Sequence, residues 1–198
     1  MLAWLWKRLN EGGPQVSISG RALRRFPERE RDRLLRARVL IEHGRVDSWS
    51  LCAHCDCGLD VRPIRMVGGE LRACCPNDAA EDLVLDEQDL ERFSIDPDKL
   101  AVRIAASGGI SGSVDQIVDG IWSIGATPSG VAVVLCRAAH LLDAPGTLLA
   151  IKAAVGSTSA ILIAHEFGAP VVLRLKEAGL STADLDDVWT CTGSVPVF

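Results

Sequence analysis

The chain has 198 residues, of which 48% are hydrophobic, 24% charged and 5% aromatic, with a formal net charge of −5. That is a globular composition, long enough for one large domain or two small ones, and it excludes low-complexity disorder and collagen. No run approaches the roughly 18 apolar residues of a membrane span; the best candidate, Val131 to Leu142, is interrupted by Arg137 and His140.

Charge is unevenly spread. Residues 1–50 carry 11 Lys/Arg against 6 Asp/Glu, residues 51–98 carry 4 against 12, and residues 99–198 carry 6 against 8. A basic head before an acidic middle predicts pairing between the two, or a head that meets a polyanion. The balance falls short of the pI above about 9 that marks a dedicated nucleic-acid-binding domain. Met1-Leu2-Ala3-Trp4-Leu5-Trp6 puts its apolar residues ahead of its charges, the reverse of a signal peptide.

Along the chain, Leu2, Leu5, Trp6 and Leu9 share one face of an opening helix that Gly12-Gly13-Pro14 ends. That face suits packing on the body, or a weak interfacial anchor. After a β-like stretch from Gln15 to Ser19, residues 27–43 predict a helix. Pro27 suits its first turn, Glu28 and Glu30 complement the dipole, and Gly44 is placed as its cap. Leu34, Ala37, Leu40 and Ile41 form its buried stripe, and Asp32 and Arg36 form an i,i+4 pair. Arg29, Arg31, Arg33 and Arg38 are left to face water or a partner, and their chemistry suits nucleic acid or an acidic protein.

Beyond residue 78 a short helix is expected over 86–93. A further helix, Lys99 to Ala106, precedes the loop Ser107-Gly108-Gly109-Ile110-Ser111-Gly112. Ser113 and Gln116 have the spacing of a capping box for a helix ending near Gly120. Ile121 to Ile124 and Val131 to Leu135 read as strands, Pro145 to Val155 as a helix and Ala160 to Ala164 as a strand. Pro170 to Ala178 reads as a helix and Val195 to Phe198 as a last strand. Strands alternating with helices predict a compact α/β unit of two or three layers.

Five of the seven cysteines, Cys52, Cys55, Cys57, Cys74 and Cys75, fall within 24 residues. An odd count clustered without a signal argues for a reducing compartment, the cytoplasm, and for a metal rather than disulfides. Between Cys52-Ala53-His54-Cys55-Asp56-Cys57 and Cys74-Cys75-Pro76-Asn77-Asp78, two apolar stretches flank Gly68-Gly69, the pattern of a tight hairpin. Knuckle, hairpin, knuckle over residues 52–78 resembles a zinc ribbon. The resemblance implies one structural zinc held by Cys52, Cys55, Cys75 and Asp78, the last standing where that family has a thiolate. Cys57, Cys74 and His54 are alternates for the fourth position. As neighbours in a strand, Cys74 and Cys75 point to opposite faces, so one of them ligates. Four protein ligands leave no open position, which makes the site structural.

The chain has no G-x-S-x-G elbow, no H-E-x-x-H and no P-loop. The glycine loop at 107–112 reads as a connector rather than a phosphate cradle, since it follows no strand. His165-Glu166 closes an apolar strand, where α/β sheets often carry chemistry. The expected fold class is α/β (α+β overall), with N-terminal helices over 1–50, a zinc-ribbon-like hairpin module with an acidic linker over 51–98, and a compact α/β domain over 99–198. The expected function is that of a non-enzymatic intracellular zinc-binding regulator or adaptor with a protein partner, its basic helix suited to nucleic acid. The alternatives are a structural subunit of an assembly, and an enzyme using His165 and Glu166 at the strand ends of residues 121–166.

Overall fold

A computed structural model describes residues 1–13, 16–50 and 61–188. The chain divides into two compact units, one of residues 1–16 and 95–198 and one of residues 17–94. Both are mixtures of helix and strand, so the chain is mixed α/β in class. The expected boundaries lie at 50 and 98, and the two units divide near 95, with the first 16 residues grouped with the C-terminal half. The cause is strand pairing: residues 17–19 pair with the strand at 91–95 and close the 17–94 segment on itself.

The chain opens with α1 (Leu2–Gly12), described below with its own unit. In the 17–94 unit, β1 (Ser17–Ser19) leads into the single turn α2 (Gly20–Leu23), then α3 (Glu28–Arg36) and β2 (Leu40–Arg45). The predicted helix over 27–43 is therefore cut short. Arg38 takes a left-handed conformation at φ 56°, and the Val39 and Arg38 amides donate back to the Leu34 and Leu35 carbonyls. That closes a Schellman motif with arginine in the position glycine usually fills. Val39, Leu40 and Ile41 then continue extended. Gly44 lies inside β2 rather than capping a helix, and His43, also on β2, bonds Ser94 Oγ through Nε2 at 2.7 Å.

A second sheet follows, in the order β3-β4-β5-β6: β3 (Ser48–Ser50), β4 (Val61–Val67), β5 (Glu70–Ala73) and β6 (Leu83–Leu85), all antiparallel. The predicted hairpin is present, and Gly68 and Gly69 turn it with φ 61° and 88°. Two successive positive φ values define the primed turn whose twist matches the strands. Ala73, Leu85 and Leu90 are buried beneath this sheet with Trp49, Ile64, Leu71 and Leu83 against them. The helix expected over 86–93 is one 3-10 turn, Glu87–Leu90, followed by β7 (Glu91–Ile95), in which Phe93 and Ile95 are buried alternately. β7 lies between β1 and β2.

The other unit resumes with α4 (Pro97–Ser107), capped by the Asp96 carboxylate on the Lys99 amide. The helix expected from Ser113 is absent. Instead β8 (Asp115–Val118) and β9 (Ile121–Ala126) form a hairpin turned at Asp119-Gly120, an Asp-Gly pair suited to such turns. β10 (Ala132–Cys136), α5 (Thr147–Val155), β11 (Ala160–Ala164), α6 (Ala169–Glu177), β12 (Ser181–Asp184) and α7 (Leu185–Val188) complete the described chain. The sheet order is β12-β11-β10-β9-β8, with the first three strands parallel.

Val133 to Cys136 are all buried, as expected of a strand covered on both faces. On one side Val134, Cys136 and Ile121 join Ile151, Val155 and Leu175 of α5 and α6. On the other, Trp122 stands opposite Leu135, donates Nε1–H to Asp98 of α4 at 2.7 Å, and meets Trp6 of α1 edge to face at 5.4 Å. Leu5, Trp6 and Leu9 are wholly buried there. The apolar face of α1 is core, which leaves nothing for an interfacial anchor. No helix among the described residues is long and apolar enough to cross a membrane.

Candidate functional site

The register of the second sheet of the 17–94 unit bears directly on the cysteines. Ser50 at the end of β3 pairs with Val61 at the start of β4, so segment 51–60 leaves and rejoins the sheet at one point. β5 runs back to that same end, where the Cys74 amide donates to the Pro63 carbonyl at 2.9 Å. Cys74 and Cys75 therefore leave the sheet beside the two ends of the segment that carries the other cysteines. Cys52, His54, Cys55 and Cys57 themselves lie outside the described residues.

The two described thiols are not equivalent. Ala73 faces the core, so Cys74 turns outward with Arg72 and directs Sγ toward the Arg72 carbonyl at 3.7 Å. Cys75 turns inward and is buried, and its amide donates to Asp82 Oδ1 at 2.7 Å. Asp78 is exposed, with Oδ1 accepting from the Ala80 amide at 2.8 Å. Among the described residues no three His, Cys, Asp or Glu side chains stand close enough to hold an ion. A buried thiol and an exposed carboxylate are donor types that zinc accepts, and the other residues expected to ligate it, Cys52 and Cys55, are not among those described.

Two residues missed in the sequence organise this end. Arg62 is buried and donates through Nη1 to the Glu81 carbonyl, and Asp82 grips the Cys75 amide from the same turn. The alternation Arg62, Ile64, Met66 on one strand face was the available signal for an inward arginine.

The basic helix is α3. Arg29 and Arg33 are exposed, whereas Arg31 is only 16% exposed and paired with Glu28 at 3.4 Å. Arg38 is exposed but lies past the helix end. Arg36, expected to pair with the Asp32 carboxylate, bonds only the Asp32 backbone carbonyl, at 3.3 Å, and so joins the exposed set. Elsewhere in the unit the predicted pairing of head and middle is present. Arg24 reaches Asp86 and Asp89, Arg21 reaches Asp89, and Arg45 reaches Glu87. Arg21, Arg24, Val84, Asp86 and Asp89 line an open depression of about 390 Å³ whose guanidiniums are thus already answered by carboxylates.

The strand ends of the other unit carry His165 and Glu166. His165 is 9% exposed, with Nε2 at 4.0 Å from Glu166 Oε1. Glu166 sits at φ 57°, and its amide donates to Asp184 Oδ2 at 3.0 Å. Ser157, Thr158 and Ser159 precede β11, at the opposite end of the strand from His165. Cys136, at the end of β10, is buried and its thiol is pushed up to about 12 by desolvation, so it stays protonated. Ser111, in the glycine loop, spends its amide and carbonyl on Ala126, which removes that amide from any phosphate cradle. Trp189 and the strand expected at 195–198 lie outside the described residues. No protein-family model, no curated protein and no solved structure matches the chain.

Proposed function

We propose that the chain is a non-enzymatic regulator or adaptor whose 17–94 unit is stapled by one structural zinc and presents a basic helix to an anionic partner. The observation that supports this is the register of β3, β4 and β5, which sets Ser50 and Val61, the residues flanking the segment that contains Cys52, Cys55 and Cys57, at the end of the sheet from which Cys75 leaves. Cys75 and Asp78 would hold the ion from this side, with Cys52 and Cys55 from the other. The ion supplies cross-linking rather than chemistry, roughly 10–16 kcal/mol in small zinc peptides. The 17–94 unit has a small core under its second sheet, so such a link matters to it. Thiolate ligation requires reduced sulfur, which puts the protein in a reducing compartment, the cytoplasm.

An enzyme at the strand ends is less supported, since the hydroxyls and the thiol considered there are distant or protonated. Elemental analysis of the purified full chain tests the proposal. Stoichiometric zinc, lost to a strong chelator together with the rigidity of residues 61–82, is the expected result. Zinc-free protein in which these residues remain rigid overturns it.

A further inference from the structure

The arginines of the 17–94 unit are not alike in their surroundings. Arg21, Arg24 and Arg45 are spent on carboxylates of the same unit, and Arg92 lies over the Trp49 ring at 5.2 Å, where burial lowers its pKa. Arg29, Arg33 and Arg36 have no such partner: no carboxylate of the described residues lies within ion-pair distance of any of them.

Their spacing, i, i+4 and i+7, places them within an arc of about 60° and along a row of about 10 Å on an ideal helix. The face opposite holds buried Leu34 and the half-buried Arg31, itself tied to Glu28 and within 3.9 Å of Asp32. Helix α3 thus turns two of its three acids, Glu28 and Asp32, toward Arg31 and leaves a strip of guanidiniums to solvent. Composition points the same way. Residues 17–94 contain 13 of the 17 arginines and none of the four lysines. Arginine's planar fork matches the oxygens of a phosphate two at a time, which an ammonium cannot do.

We propose that Arg29, Arg33 and Arg36 bind successive phosphates of a nucleic-acid backbone. This names the anionic partner of the adaptor reading above and does not depend on the metal. A protein partner is disfavoured because the row contains no apolar or aromatic side chain to form the water-excluded core in which the arginine anchors of a protein interface act. Phosphate contacts need none, since their free energy comes from released counterions. The net charge of −5 opposes long-range attraction, so the contact is short-ranged, and contacts to phosphate alone read no base sequence.

The test is fluorescence anisotropy of the full chain with a labelled DNA oligonucleotide, single-stranded and as a duplex, across a salt series. The R29Q/R33Q/R36Q variant keeps good helix formers at all three positions. Its plot of log K against log salt is expected to be shallower than wild type by about 2 for the single strand and about 3 for the duplex. R33Q alone, the fallback should the triple variant misfold, is expected to lose somewhat less than one unit of slope. K152Q, on α5, is expected to leave the slope unchanged. Absence of wild-type binding at about 50 mM salt, or equal slopes for wild type and the arginine variants, overturns the proposal. Tighter binding to a polyglutamate peptide than to the oligonucleotide also overturns it and assigns the row to an acidic protein. Zinc content of the same preparation separates the two readings: zinc-free protein that binds DNA sinks only the metal, and zinc-loaded protein that does not bind sinks only the phosphate contact.

Discussion

The Nη1 atom of Arg24 lies 2.8 Å from Oδ1 of Asp89, a carboxylate that is 1% exposed. Arg21 approaches the other oxygen at 3.4 Å, and the Asp86 amide donates to it at 3.0 Å. A buried carboxylate thus gathers α2 and the 87–90 turn, which is where the basic head and acidic middle of the sequence meet. Removing Asp89 leaves the arginines to water but takes the acceptor from the Asp86 amide. Asp89→Ala is expected to destabilise the 17–94 unit by about 1–3 kcal/mol, read as a lowered urea midpoint. Arg24→Gln is expected to cost less, because Arg21 and the Asp86 amide still answer the carboxylate. Equal losses in the two variants would contradict this division of labour.

Trp6 gives a second prediction. Its ring is wholly buried against Trp122, and its Nε1 donates to the Cys136 carbonyl at 3.3 Å. Trp6→Ala is expected to cost about 3–5 kcal/mol, a large share of the roughly 5–15 kcal/mol that holds an ordinary domain folded, whereas Trp6→Phe keeps most of the buried area. Thermal melts of the two variants check the order. Vesicle co-sedimentation of the wild type is expected to show no binding, since the apolar face of α1 is already covered.

Periodicity made most of the C-terminal architecture legible. The alternation of 121–124, 131–135 and 160–164 with the helical segments at 145–155 and 170–178 corresponds to β9, β10, β11, α5 and α6 in their chain order. The hairpin at Gly68-Gly69 was legible for the same local reason, two adjacent glycines between apolar stretches. What failed was competition between signals of similar strength. Ser113 and Gln116 matched a capping box, but Asp119-Gly120 matched a hairpin turn, and in the structure Gln116 and Val118 pair with Trp122 and Ile121 of β9. Arg38 gave no warning that it would take a left-handed conformation, so the helix over 27–43 was drawn seven residues too long. The grouping of α1 with the C-terminal half was invisible, because Trp6 meeting Trp122 spans 116 positions with no local trace. At the candidate site, residue types were readable and pairing was not: Arg36 was assigned to Asp32, and the grip of Asp82 on Cys75 was missed.

Cys136 is expected to be inert in the native protein. Desolvation pushes its thiol from 9.0 up to about 12. Alkylation at pH 8 is expected to leave Cys136 unmodified in native protein and to label it once denaturant is added, followed by peptide mass spectrometry. The same shift has a sign for stability. The unfolded chain releases this proton near pH 9 while the folded chain holds it, so stability falls as pH rises from about 9 toward 12. Replacing Cys136 by Ala is expected to remove that alkaline slope while lowering stability at neutral pH by the lost packing. An unchanged slope would place the alkaline sensitivity elsewhere.

The final prediction concerns which of two adjacent thiols holds the metal. Strand alternation sends Ala73 and Cys75 to one side and Arg72 and Cys74 to the other, and only Cys75 is buried. The Cys75 backbone is also fixed by Asp82, whereas the Cys74 sulfur faces the Arg72 carbonyl. A ligand held in place loses less entropy on binding than one free to rotate. Cys75→Ser is therefore expected to reduce bound zinc from stoichiometric to trace, and Cys74→Ser to leave it stoichiometric, by elemental analysis after gel filtration. Asp82→Asn, which keeps an acceptor for the Cys75 amide without the charge, is expected to weaken zinc retention against a competing chelator about tenfold, within the range typical of groups that orient a metal ligand. Loss of zinc from Cys74→Ser with retention in Cys75→Ser would reverse the assignment and place the site on the outer face of the sheet.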